Sequence, residues 1–252
     1  MDAVSVPEDH HWFYLTAGLL FLAITLAGFG PSIVDPSARR LPLTWFVLAH
    51  GACTCAWFAL FVVQATLIAI DRPKVHRRLG LVGLLLAAVI VILGYQAIIE
   101  FGRRGFDLSG DIVRAISRTG SRSGAATILF PLSELVSFAV LVALAFWYRR
   151  RPEVHKRLML FAVIVIVDEP LLHLVGYLSS HWPVLRGSGT RIAGATLLVL
   201  LSASAVNDWF SRGRIHRASA VTPLLLIAWQ VTIAVIVFPS DVWHKCAAWL
   251  VR

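Results

Sequence analysis

Apolar residues in this chain come in long unbroken runs. They show neither the alternation of a half-buried strand nor the one-sided stripe of an amphipathic helix. Runs of about 20 residues cross a hydrocarbon core of ~30 Å as a helix. Such runs occupy residues 12–34, 43–70, 80–100, 124–148, 158–179, 190–210 and 220–239, the last open to continuation toward 249. The predicted fold is an all-α integral membrane protein, a single transmembrane domain over 1–252.

Between the runs one polar pattern returns three times. It reads Arg72-Pro73-Lys74-Val75-His76-Arg77-Arg78-Leu79, then Arg151-Pro152-Glu153-Val154-His155-Lys156-Arg157-Leu158, then Arg212-Gly213-Arg214-Ile215-His216-Arg217. The third copy lacks the proline. Hinges this short pair their flanking spans as antiparallel neighbours, which gives one helix plus three hairpins. Residues 101–123 form the only long connection, and Ile112, Val113 and Ile116 there have a partial helical spacing.

Composition agrees with this. The chain is 58% hydrophobic and 15% charged, against roughly 25% charged in soluble domains. Its net charge of +9 sits in loops beside the spans, where cations set topology and meet anionic headgroups. No nucleic-acid motif accompanies the charge, so the partner it implies is the lipid bilayer. Cys53, Cys55 and Cys246 make no disulfide framework, and Cys53 and Cys55 point to different faces of one helix. The opening Met1, Asp2, Glu8 and Asp9 lack the basic region of a signal peptide, so 12–34 reads as a retained helix.

If the hinges are cytoplasmic, seven spans put the N-terminus inside and the C-terminus outside. Arg39, Arg40 and the arginines of 101–123 count against this orientation. His76, Arg77, Arg78, His155, Lys156, Arg157, His216 and Arg217 then read as headgroup anchors. The sharper alternative is three sites for a phosphate-bearing ligand.

Ionisable groups inside spans are costly, and each is a functional hypothesis. Counted by helical rise, His50, Glu134, Asp168, Glu169 and His173 share a layer in the outer half, with Gln96 and Glu100 approaching it. Asp208 lies apart, near the hinges. His50, Cys53, Thr54, Trp57 and Gln64 follow one stripe of their helix. Glu169 and His173 are four residues apart on one face, and Pro170 should kink that span.

These residue types fit several chemistries. His50, Glu134, Glu169 and His173 could hold a non-haem metal ion, and His50 with His173 could ligate a single haem. Either would serve redox or hydrolytic chemistry on a lipid-phase substrate. A proton relay or proton-coupled transporter uses the same groups. In the remaining alternative they only pack the bundle, as in a non-catalytic subunit with partners in a larger membrane complex. Whether the chain is an enzyme stays open.

His50-Gly51, Trp57, Phe61, Gln64 and His76-Arg77-Arg78-Leu79-Gly80, with Arg151-Pro152-Glu153 and His155-Lys156-Arg157-Leu158-Met159, resemble an uncharacterised family of bacterial seven-helix inner-membrane proteins. The resemblance implies that fold and location and brings no activity. Ser240-Asp241-Val242-Trp243-His244 is similar to the last-helix pattern of seven-helix zinc amide hydrolases related to alkaline ceramidases. Those carry a second histidine where this chain has Ser240. That leaves His244 as a supporting residue.

Overall fold

The computed structural model describes residues 10–36, 44–104, 124–185 and 187–252. The predicted short helix around Ile112 and the acidic start lie outside these residues, as do Arg39 and Arg40. Among the described residues the chain is helical and has no strand.

The helices are α1 His10–Val34, α2 Trp45–Ala69, α3 Pro73–Arg104, α4 Leu129–Trp147, α5 Pro152–Ile166, α6 Asp168–His181, α7 Gly189–Arg212, α8 Arg217–Thr232 and α9 Asp241–Leu250. Six of the described helical segments are long and apolar enough to cross a membrane alone, and α5 with α6 makes a seventh if that bent pair crosses as one. Two hinges start helices earlier than the apolar runs do. Pro73 and Pro152 open α3 and α5, because a proline in the first turn loses no helical hydrogen bond. His76 and His155 therefore each stand in a first turn. Without its proline the third copy behaves differently, and the His216 ring caps α8 by accepting from the Ala218 N–H at 3.1 Å.

As expected, α2 packs along α3, α4 along α5, and α7 along α8, while α1 packs against α2 and α6. The α5 helix lies at the centre. Leu160, Phe161, Ala162, Val163 and Ile164 are almost fully buried, and Phe58 and Phe138 share their core cluster. Outward-facing Leu85, Val199, Leu224 and Ile236 are about two-thirds exposed, the pattern of a surface whose solvent is hydrocarbon.

All three hinges gather at one end of the bundle. The His76 and His155 rings meet edge-on at 6.2 Å, and Arg212 pairs with Glu153 across hairpins. The start of α1 belongs to this end too, with Lys156 over the Tyr14 ring at 5.4 Å. The far end is closed by α9. Trp243 Nε1 donates to the Ala126 carbonyl at 2.8 Å, and Arg103 Nε donates to the Val251 carbonyl at 3.3 Å. So α9 is a separate closing helix and not a continuation of the preceding span, which ends through a π-helical turn at Ile233–Val237.

Candidate functional site

The bend predicted at Pro170 sits one turn before it. Proline has no N–H for the Ile166 carbonyl, and its ring clashes with the carbonyl four residues back. The α5 helix therefore stops at Ile166, Val167 turns, and α6 restarts at Asp168 with a bend of 42°. Asp168 and Glu169 thus occupy the first turn of a new helix, where the macrodipole favours negative charge.

Gly28 of α1 lies against this break. A Cβ built at Gly28 would run into the backbone carbonyl of Pro170. Only glycine lets the two backbones approach so closely. One residue on, Phe29 packs on the His173 ring at 4.9 Å.

Around the bend the acidic residues pair off. The Glu134 carboxyl, from α4, lies close to that of Asp168. His173 is buried and its Nε2 meets Glu169 Oε1 at 3.3 Å, while the Glu169 side chain is 40% exposed. His50 comes from α2, its Cε1 3.8 Å from a Cβ position at Gly94, which Leu135, the neighbour of Glu134, approaches to 3.0 Å. The neighbouring Ser133 hydroxyl bonds Gln230 Oε1 at 3.0 Å. Among the described residues, no three of His, Cys, Asp and Glu are placed to hold one metal ion.

The other residues of the predicted layer lie elsewhere. Gln96 and Glu100 line a groove of about 530 Å³ with Thr44, Tyr95 and Arg103 at the far end. The His244 ring meets that of Phe238 at a tilt, centroids 6.0 Å apart, and Ser240 is the N-cap of α9, accepting from the Trp243 N–H at 3.2 Å.

At the hinge end a second polar cluster appears. Arg157 is completely buried. Its guanidinium pairs with Asp208 in two places and donates to Ser219 Oγ at 2.8 Å and Glu153 Oε2 at 2.8 Å. Asp208 also accepts from Ser219 at 2.5 Å and from the His216 N–H at 3.1 Å. Ser204 closes the network onto Ser219 at 2.9 Å. The expectation that Arg157 anchors headgroups is thereby corrected. A buried guanidinium needs a carboxylate, and Asp208 supplies it. Nor does His155 point outward, since its Nδ1 meets the Ala145 carbonyl at 2.8 Å. Lys156 pairs with Glu153 at 2.9 Å. Arg77, Arg78 and Arg217 are exposed, as headgroup contacts require.

Burial beside Arg157 holds the His216 imidazole below its ordinary range, burial being the larger cause. The capping bond acts the same way, since Nδ1 accepts only when unprotonated.

No protein-family model, curated protein or solved structure matches the chain.

Proposed function

We propose that this chain is a seven-span membrane protein that takes up and releases protons at the Glu134, Asp168, Glu169 and His173 cluster, as the proton-binding site of a coupled transport process. The bent pair α5–α6 serves as the fifth span. Loop cations are retained in the cytoplasm, so the hinge end, with Arg77, Arg78 and Arg217, faces inward in a bacterial inner membrane. The N-terminus is then inside, and the cluster lies in the outer half.

The close approach of the Glu134 and Asp168 carboxyls at the helix break carries this reading. Two carboxyls brought together out of water favour one shared proton over two adjacent charges. They do so at the break of a span, where interrupted helices place ion and proton sites. His173 and Glu169 offer the next acceptors. A metal or haem centre at His50, Glu134, Glu169 and His173 would need donors turned toward one point, whereas these pair off.

Infrared difference spectroscopy of the protein in mild detergent tests this across the mildly acidic to alkaline range. A titrating protonated-carboxyl band that disappears in Glu134→Gln and Asp168→Asn is the expected result. Its absence from the unaltered protein refutes the proposal. Stoichiometric metal, or a Soret band, that is lost in His50→Ala or His173→Ala would replace it with a metal or haem centre.

A further inference from the structure

Among the described residues, four buried polar atoms without a protein partner lie along α2 and the start of α3. They are His50 Nδ1, Trp57 Nε1 and Gln64 Oε1 on α2, and His76 Nδ1 in the first turn of α3. His50, Trp57 and Gln64 are seven residues apart, two turns each, so they stand above one another on a single face. At 1.5 Å per residue, His50 to Gln64 spans about 21 Å, most of a ~30 Å core.

The ends of the file are fixed by contacts. His50 Cε1 lies 3.8 Å from the Cβ position of Gly94, which Leu135, next in sequence to Glu134, approaches to 3.0 Å. Trp57 packs on Phe138 at 5.1 Å. Gln64 Nε2 donates to the His76 carbonyl at 3.2 Å, and the His76 ring meets His155 at the hinges.

Buried polar groups are almost always hydrogen-bonded, and each one left unpaired costs about 1–3 kcal/mol. One such atom is an oddity. Four along one stretch, donors and acceptors together, call for a common partner able to do both, as water can. Among the described residues Tyr14 Oη and Ser179 Oγ also lack a partner, but they stand on α1 and α6.

We infer that this face of α2 is a hydrated path carrying protons between the bend cluster and the His76–His155 pair. The inference rests on reading the cluster as a proton site. A proton leaving the cluster binds one ring nitrogen of His50 while the other ring nitrogen releases its own to water. The water file passes it to His76, which hands it to the hinge-end aqueous phase in the same two-sided way. Each imidazole stays neutral but changes tautomer, and a ring flip restores it before the next proton. The Trp57 N–H only donates and the Gln64 Oε1 only accepts, so these two orient water and carry no proton.

The test uses the full chain in sealed liposomes with a trapped pH dye, a potassium diffusion potential supplying the driving force. Flux above that of empty liposomes is expected. His50→Phe should lower it on the order of a hundredfold, the low end for a positioned proton-transfer group. Gln64→Leu should act in the same direction, and Ser179→Ala should change nothing. Hydroxyl-radical footprinting should label Trp57 in the unaltered protein, a readout that needs no variant to fold. An unlabelled Trp57, or Gln64→Leu at full rate while Glu134→Gln is silent, overturns the path and leaves the cluster reading intact. Flux lost in Gln64→Leu but kept in Glu134→Gln keeps the path and overturns the cluster reading.

Discussion

Arg157→Ala separates two views of the hinge end by magnitude. An arginine facing headgroups and solvent contributes about 0–1 kcal/mol through its ion pairs. In the folded chain Arg157 is instead sealed among α5, α7 and α8, bonded to Asp208, Ser219 and Glu153. Its removal strands the Asp208 carboxylate, which is itself fully buried, and a broken buried pair typically costs about 3–5 kcal/mol. Ordinary polar contacts between membrane helices stay below about 2 kcal/mol, so the expected loss exceeds what hydrogen bonding alone explains. Asp208→Asn should cost less, because Glu153 still accepts from Arg157. Replacing both, as Arg157→Met with Asp208→Leu, should recover most of the stability, since apolar groups of similar volume often substitute for a buried pair. Equilibrium unfolding in mixed detergent micelles gives all the free energies of the double-mutant cycle. Single losses under about 1 kcal/mol that simply add would refute the reasoning.

Other outcomes follow from single contacts. Gly28→Ala should destabilise by about 1–3 kcal/mol, the usual range for overpacking, because its Cβ meets the Pro170 carbonyl. Gly30→Ala, with open space around it, should be neutral or stabilising by up to about 1 kcal/mol; thermal unfolding in detergent compares the two. His216 is held below its ordinary pKa in the folded chain. The unfolded chain therefore binds the proton first, and stability should decline as pH falls through about 6.5. His216→Asn keeps a capping side chain, and its unfolding temperature should vary less over that interval.

Much of the architecture was legible because it rests on one-dimensional signals. Apolar run length marks the crossing helices, and the repeated hinges foretold the antiparallel pairs. Depth counting brought Glu134, Asp168, Glu169, His173 and His50 to one neighbourhood. It could not give azimuth, so Gln96 and Glu100, at nearly the right level, turn into a separate groove. Arg157 reads as an anchor in the sequence because it follows His155 and Lys156 at the mouth of an apolar run. Its partner lies 51 residues on, and only the packing of α7 and α8 against α5 brings the two together. The lone Asp208 inside an apolar span was the available clue, since a buried carboxylate implies a buried cation somewhere. The file along α2 was visible as a stripe, but only the fold reveals that its polar atoms lack partners.

The same 51-residue separation bears on the order in which the chain assembles. A span enters the bilayer as it is made, so Arg157 arrives well before Asp208 exists. In the interval its guanidinium, one turn inside α5, can reach the polar interface along its flexible stem. Its withdrawal into the bundle must wait for the third hairpin. Docking of α7 and α8 is thus the step that converts a wet arginine into a dry one. A chain stalled before residue 208 should keep that side chain accessible to water-borne reagents, and a completed chain should protect it.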